Sequence, residues 1–129
     1  MDLDQIDPDD RRITEDHQAM AGQIKAIQAL AATATPDPEG FVAALRRLAE
    51  LSSAHFADEE AVMAARGYGG LTAHRQDHGY LLRSLGALIS ACEERTLTIS
   101  AEIAAPLGNW LNFHVTRYDD PFRHFISDS

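Results

Sequence analysis

The sequence predicts an all-α protein, an antiparallel four-helix bundle with up-down-up-down order. Apolar residues recur three and four positions apart along four stretches, and no stretch shows the sustained alternation of a β-strand. Segments rich in proline, glycine or polar residues separate these stretches. Because the separating segments are short, consecutive helices are expected to be antiparallel neighbours.

The first predicted helix begins at Pro8 with Asp7 as its N-cap, since proline is accepted in a first helical turn. Its inward face consists of Ile13, His17, Met20, Ile24, Ile27 and Ala31. The second predicted helix begins with the same aspartate–proline signal at residues 37–39 and ends near Arg66. Its inward face consists of Phe41, Leu45, Leu48, Ser52, His55, Glu59 and Met63.

A glycine-rich turn at residues 67–70 precedes the third predicted helix. The inward face of that helix consists of Leu71, His74, His78, Leu81, Leu85, Leu88 and Cys92. The polar and β-branched segment 93–100 predicts a connection.

The fourth predicted helix is expected to end near residues 119–121. Its inward face consists of Ile103, Leu107, Trp110, Leu111 and His114. Pro106 predicts that this helix either is kinked at that point or starts there, because proline removes a helical hydrogen bond. The apolar residues Phe122, Phe125 and Ile126 predict that the C-terminal tail folds back onto the bundle.

Length and composition predict one soluble domain over residues 1–129, with a core bundle at about 13–120, a short N-terminal arm and a C-terminal tail. The formal net charge of −9 argues against nucleic acid and against an anionic membrane surface as partners. There is no secretory signal and no run of about 18 apolar residues, so no membrane insertion is expected. The expected location is the cytoplasm.

Seven polar residues stand in the apolar stripes of the four predicted helices: His17, His55, Glu59, His74, His78, His114 and Asp119. Two pairs within this set are four residues apart, and each pair therefore shares one helix face. Asp119 lies five residues beyond His114, at the expected helix end, where the backbone can relax to direct it inward. Burying such groups without partners is costly, so their shared inward placement predicts a common ligand.

A metal centre explains this pattern better than mutual hydrogen bonding, because five histidines offer one another too few acceptors. Imidazole nitrogen and carboxylate oxygen both bind divalent iron, zinc or manganese. Two six-coordinate ions offer about twelve positions. If Glu59 and Asp119 bridge both ions and a water-derived oxygen is shared, one position stays open for a small ligand.

A metal-free structural bundle is the competing interpretation, since an isolated pair of histidines four residues apart often arises by chance. His124 lies outside every stripe and is expected to be exposed. The acidic residues Asp58, Glu60 and Asp77 are expected to form solvated faces.

Two segments resemble the hemerythrin family. Residues 55–78, HFADEEAVMAARGYGGLTAHRQDH, are similar to its signature H-F-x-x-E-E-x-x-M, followed by tyrosine and H-x-x-x-H. Residues 110–119, WLNFHVTRYD, are similar to its W-L-x-x-H-[IV]-x-x-x-D element, and His17 matches the first histidine of the family. The resemblance covers about residues 13–120 and is closest to single-domain bacterial hemerythrins, although the segment before His17 departs from the usual I-D-x-Q-H.

The resemblance implies a non-haem di-iron centre that binds dioxygen reversibly. It assigns three histidines to one iron, His74, His78 and His114. It assigns His17 and His55 to the other iron, which keeps the open position. Glu59 and Asp119 would bridge the two irons together with an oxo or hydroxo group. The apolar residues matching the oxygen pocket of the family are Phe56, Trp110 and Leu111.

The implied role is an oxygen carrier, store or delivery protein rather than an enzyme. Neutral imidazoles in place of carboxylates leave less negative charge on the irons, which favours holding dioxygen over splitting it. Two alternatives remain open at this point: an oxygen or redox sensor that acts through a partner protein, and an enzyme that handles peroxide or nitric oxide. Tyr118 and Cys92 are the candidate proton donors for an enzyme.

Overall fold

The computed structural model describes residues 6–128, and the regular secondary structure within that range is all helical, with no strand. Its elements in chain order are α1 Pro8–Ala31, α2 Pro38–Ala65, α3 Leu71–Glu93, α4 Ala101–Ala104, α5 Pro106–His114, a π-helical segment Val115–Asp119, and α6 Asp120–Ser127. The elements from α4 to α6 together supply the fourth helix, which contacts α1. The prediction of an all-α four-helix bundle is confirmed.

The start of α1 follows the capping signal in the sequence. Asp7 accepts a hydrogen bond from the backbone N–H of Asp9 at 2.8 Å, and Pro8 occupies the first turn. Arg66, which follows α2, donates to the side-chain carboxylates of Asp7 and Asp9, each at 2.9 Å. These hydrogen bonds join the end of α2 to the start of α1. Residues 8–12 of the predicted N-terminal arm are therefore helical, and residues 1–5 of that arm lie outside the described residues.

The fourth helix does not end near residues 119–121, so that prediction is wrong. The short helix α4 precedes Pro106, and Ala105 keeps right-handed helical angles between α4 and α5. The fourth helix therefore does not start at Pro106 but runs through this point, with an interruption of its regular α-helical pattern at Ala105. The N–H of Asp120 then donates to the carbonyl of Val115, five residues back, which makes the turn wider than an α-helical one. Pro121 follows in the first turn of α6, a position at which proline is common.

The C-terminal residues contact the bundle by continuing the helix rather than by folding back. Phe122 and Ile126 of α6 are buried in a small apolar cluster with Ile13 of α1 and Met63 of α2. Burial of these apolar side chains stabilises the continued helix, because each removes its surface from water.

A polar layer crosses the bundle between two apolar clusters. The larger cluster includes Met20, Leu48, Leu81 and Leu111, and the smaller cluster is the one formed by Ile13, Met63, Phe122 and Ile126. On each of the four helices, the predicted metal-binding positions have a residue of the larger cluster on one side along the chain. On the other side they have a residue that belongs to the smaller cluster or packs against it. The layer is thus closed by apolar side chains on both sides.

None of the helices within residues 6–128 is long and apolar enough to cross a membrane. The cytoplasmic location and the single-domain organisation stay predictions.

Candidate metal centre

The seven predicted ligand residues converge in the polar layer as two overlapping groups. In each group, one possible ligand atom per residue lies within 4.8 Å of the others. The first group, called here the three-histidine group, consists of Glu59, His74, His78, His114 and Asp119. The second, called here the two-histidine group, consists of His17, His55, Glu59 and Asp119. The two carboxylates belong to both groups, as bridging ligands between two ions would.

Each shared carboxylate directs one oxygen at each group. Glu59 Oε1 lies 2.6 Å from His74 Nε2, and Glu59 Oε2 lies 3.1 Å from His55 Nε2. Asp119 Oδ1 lies 2.7 Å from His74 Nε2, and Asp119 Oδ2 lies 2.8 Å from His17 Nε2. The arrangement is symmetric and can hold two cations side by side.

The π-helical segment brings Asp119 into this layer. Five residues separate Asp119 from His114, and in a regular α-helix side chains so spaced point about 140° apart. The wider π-helical turn places both on the same side, so that His114 Nε2 lies 3.1 Å from Asp119 Oδ1. π-Helical turns within α-helices are frequent at functional sites, and this one orients a candidate ligand.

Six of the seven residues are buried, and His17 is nearly so, with 13% of its side chain exposed. The burial that the helical stripes predict is therefore confirmed for these six residues.

A second layer of carboxylates contacts the outer nitrogen of three histidines. The contacts to Nδ1 are Asp16 with His55 at 2.8 Å, Glu60 with His78 at 3.0 Å and Asp77 with His114 at 2.5 Å. An ionised carboxylate only accepts, so each Nδ1 donates its proton and each Nε2 keeps a lone pair directed into the layer. This is the tautomer that metal binding through Nε2 requires.

The expectation that Glu60 and Asp77 lie on solvated faces is wrong, because both are half-buried by these contacts. Each second-layer carboxylate is adjacent in sequence to a predicted ligand, yet it contacts a histidine of the next helix. Only the packing of the helices reveals this. Asp58 is exposed and pairs with Arg12, and His124 is exposed, as expected.

Several inward atoms of the layer lack hydrogen bonds. They are His17 Nε2, His55 Nε2, both carboxylate oxygens of Glu59 and Asp119 Oδ2. Each of these atoms lies within contact distance of another nitrogen or oxygen of the layer, but not at the angles that hydrogen bonds require. Buried polar atoms without partners are rare and costly in native proteins, so the inward face of the layer fits a bound cation.

The pair formed by His78 and His114 supports the same conclusion. Their Nε2 atoms lie 3.1 Å apart, while both rings donate through Nδ1 to carboxylates. In the neutral rings neither Nε2 carries a hydrogen, so two lone pairs face each other. A cation or an additional proton between them removes this repulsion.

Without metal, protons take the place of the cation. Burial raises the pKa of Glu59, but the contacts with His55, His74 and His78 outweigh it and lower that pKa to about 2. Burial lowers the pKa of His74, but Asp119 and Glu59 outweigh it and raise that pKa to about 9. The metal-free layer at neutral pH therefore holds ionised carboxylates and at least one imidazolium.

The pKa shifts of the other groups in the layer have the same directions, lowered for the carboxylate of Asp119 and raised for the imidazoles of His55 and His114. Burial raises the pKa of Asp119, but contacts with His114, His17 and His74 hold it far below its usual range. Burial lowers the pKa of His55 and of His114, but the neighbouring carboxylates raise both. The electrostatic field of the layer thus favours positive charge.

Phe56 connects the layer to the larger apolar cluster. Its ring stacks on His78 with centroids 3.9 Å apart, and it also touches His55 and His114. Leu111 is buried and Trp110 half-buried in the same cluster. That these three residues line an oxygen pocket stays a prediction.

The fold and the polar layer together define a helical domain with a cluster of side chains able to bind metal. The chain matches the family described as Hemerythrin HHE cation binding domain over residues 9–122. No curated protein and no solved structure matches it significantly. Because the family match covers nearly the whole chain, the protein belongs to the hemerythrin family.

Proposed function

We propose that the protein binds dioxygen reversibly at a non-haem di-iron centre and acts as an oxygen carrier, store or delivery protein. The observation that supports this most is the sharing of Glu59 and Asp119 by two groups of potential ligands. Two ferrous ions bound there would supply two electrons to dioxygen and recover them on its release. Zinc and manganese use the same donors, so the choice of iron belongs to the proposal.

The two groups differ in the number of ligands they offer. Three histidines, two carboxylate oxygens and a shared oxo or hydroxo group complete about six positions at the first ion. The two-histidine group offers one imidazole fewer and leaves one position open. This difference supports binding of a small molecule at one ion only.

Apolar side chains above and below the layer would limit the access of water and protons to the centre. Phe56 covers His78 with its ring, and the two apolar clusters close the layer above and below. Exclusion of water limits the protonation that would release reduced oxygen and leave the irons oxidised. Asp16, Glu60 and Asp77 hold three of the imidazoles in the orientation that binding requires.

Metal and gas stoichiometry tests this proposal. We expect two iron ions per chain and one dioxygen taken up per two irons by the reduced protein. His55→Ala should abolish gas uptake, and His124→Ala, which removes an exposed histidine outside the layer, should leave it unchanged. One ion per chain, or two irons without any gas uptake, would contradict the proposal.

A sensor is a second candidate, supported by the position of α6. Asp119 is followed directly by α6, and Arg123 of α6 donates to Asp10 and Thr14 of α1. A movement of Asp119 on oxygenation would be transmitted to this helix and to any partner protein bound there. If hydrogen exchange in residues 120–127 and the association state are the same with and without dioxygen, the sensor has no support.

An enzyme is not proposed, and the absence of turnover stays a prediction. Of the two proton donors considered, Tyr118 stacks on His114 at 5.4 Å, whereas Cys92 lies on α3 about 21 Å beyond His78. Turnover of peroxide or nitric oxide that depends on His55 and Tyr118 would move the protein to the enzyme class.

A further inference from the structure

A narrow cavity between α1 and α2 reaches the two-histidine group. It has a volume of about 10 Å³ and is lined by residues that include Arg12, Asp16, Asp58, His55 and Glu59. This volume accommodates about one water-sized sphere. The side chains of Arg12 and Asp58 are 58% and 50% exposed, whereas His55 and Glu59 are buried, so the cavity leads from the surface to the polar layer.

Four of the eight residues that line this cavity are carboxylates, and two are apolar; the carboxylates are Asp9, Asp16, Asp58 and Glu59, and the apolar residues are Ile13 and Val62. Asp58 is exposed, Asp16 has 33% of its side chain exposed, and Glu59 is 2% exposed. Both oxygens of Glu59 and Nε2 of His55 lack hydrogen-bond partners, so the inner end holds unpartnered ligand atoms. Among the described residues that line this cavity, Arg12 is the one with a cationic side chain, and it pairs with Asp58 at 3.3 Å between the two helices.

The chemistry of this lining selects a cation rather than a neutral gas. A different cavity of about 230 Å³, between α3 and the fourth helix, is lined mainly by apolar residues such as Leu85, Leu107 and Trp110 and by none of the seven candidate ligands. Successive carboxylates attract a divalent ion and can replace its water ligands one after another. An apolar lining offers nothing in place of those waters.

We propose that the acidic cavity between α1 and α2 is the opening through which divalent metal ions reach the centre. Asp58 and Asp16 act as successive transient ligands before the ion reaches Glu59 and His55. The ion pair of Arg12 with Asp58 covers the outer end, and an exposed pair of this kind opens readily. The inference rests on the metal-binding part of the proposed function.

The rate of metal uptake tests this proposal. Metal-free protein is mixed with Co²⁺ at low ionic strength, and binding is followed by the visible absorption of the bound ion in a stopped-flow instrument. We expect Asp58→Asn to slow uptake by about threefold or more, and Arg12→Gln to accelerate it. Added salt should reduce both differences, because it screens the charges at the outer end of the cavity. Equilibrium metal content should be unchanged in both variants.

Matched controls come from the exposed ion pair of Arg46 with Glu93, which joins α2 and α3 and does not line this cavity. Glu93→Gln and Arg46→Gln change the net charge in the same way and should leave uptake at the wild-type rate. Equal rates in Asp58→Asn and wild type, or equal slowing in Glu93→Gln, would overturn the proposal. Failure of the wild-type protein to bind two ions at equilibrium would instead overturn the proposed function.

Discussion

Glu59 and Asp119 are buried carboxylates, each at contact distance from several imidazole nitrogens. Their oxygens are divided between two groups of histidines, and most have no hydrogen bond of acceptable geometry. A buried ionised carboxylate is tolerated only with compensating charge. In the metal-free protein that charge comes from protons on histidines, and in the proposed holoprotein it comes from two cations.

Metal binding must therefore release protons. The pKa of His74, raised to about 9, keeps this side chain protonated at pH 7 in the metal-free protein, and a metal needs the lone pair that the proton occupies. We expect protons to be released on metal binding at pH 7, and the affinity to fall as the pH is lowered. Calorimetry in buffers of different ionisation enthalpy measures the number released; a value of zero would contradict the protonated layer.

The same pKa shift fixes how the stability of the metal-free protein depends on pH. The folded-state pKa of His74 is raised above its unfolded value of 6.5. Its contribution to the free energy of unfolding is therefore fully present below pH 6.5 and is lost as the pH rises through about 9.

Asp16 is predicted to act on metal affinity through His55. It accepts from His55 Nδ1 at 2.8 Å and so holds the ring with Nε2 directed inward. We expect Asp16→Ala to weaken equilibrium binding of Co²⁺ by about 10- to 100-fold. The control is Glu15→Ala, which removes an exposed carboxylate from the preceding position. Equal affinities in the two variants would show that Asp16 has no positioning role.

At the level of helices, the sequence predicted α1, α2 and α3 well because each has a long apolar stripe and clear end signals. It failed at the C-terminus, where residues 119–121 have the composition of a helix end. Local rules do not include the burial that Phe122 and Ile126 gain against Ile13 and Met63 when the helix continues. The π-helical segment was also missed, although the five-residue spacing of His114 and Asp119 was its signal.

The capped start of α1 provides a prediction on pH and stability. Burial raises the pKa of Asp7, but Arg66 and the backbone N–H groups of Asp9 and Asp10 outweigh it and lower that pKa below 3.8. A lowered folded-state pKa contributes stability above the unfolded value that is lost as the pH falls below it. We expect Asp7→Asn, which keeps a capping side chain, to lower the free energy of unfolding by about 0.5 kcal/mol at pH 7.

The difference between Asp7→Asn and wild type should begin to shrink as the pH falls below about 4 and be lost as the pH falls through the lowered folded-state pKa of Asp7. Asp37→Asn is the matched control, because Asp37 stands at the same position of α2 but makes no side-chain capping hydrogen bond. Urea unfolding at pH 7 and at pH 3 measures both variants. A difference that persists unchanged at pH 3 would mean that the charge of Asp7 is not its cause.

For the whole molecule, the site was more predictable than the contacts that support it. Seven polar residues in four apolar stripes predicted the layer, because a stripe fixes which side chains face inward. Periodicity within one helix places Glu60 and Asp77 on the surface, because it does not show which residues the next helix brings beside them. Such contacts depend on the relative rotation of packed helices, which single-helix patterns do not specify.

Metal removal is predicted to destabilise the whole bundle, because the layer joins all four helices. A ligand present at 100 times its Kd stabilises a fold by about 2.7 kcal/mol, so chelation should lower the melting temperature by several degrees. His74→Ala should remove most of this effect, and His124→Ala should keep it. A metal-free structural bundle predicts the opposite, namely that His74→Ala is neutral or stabilising and that chelation changes nothing.

Reversible dioxygen binding is the central claim, and an absorption spectrum tests it most directly. The spectrum of anaerobically reduced, iron-loaded protein is recorded before oxygen is added, after it is added, and after it is pumped away. We predict visible bands that appear with dioxygen and disappear on its removal, and that are missing in His55→Ala. Bands that persist after removal would mean oxidation of the irons, and the absence of any band in iron-loaded protein would contradict the claim.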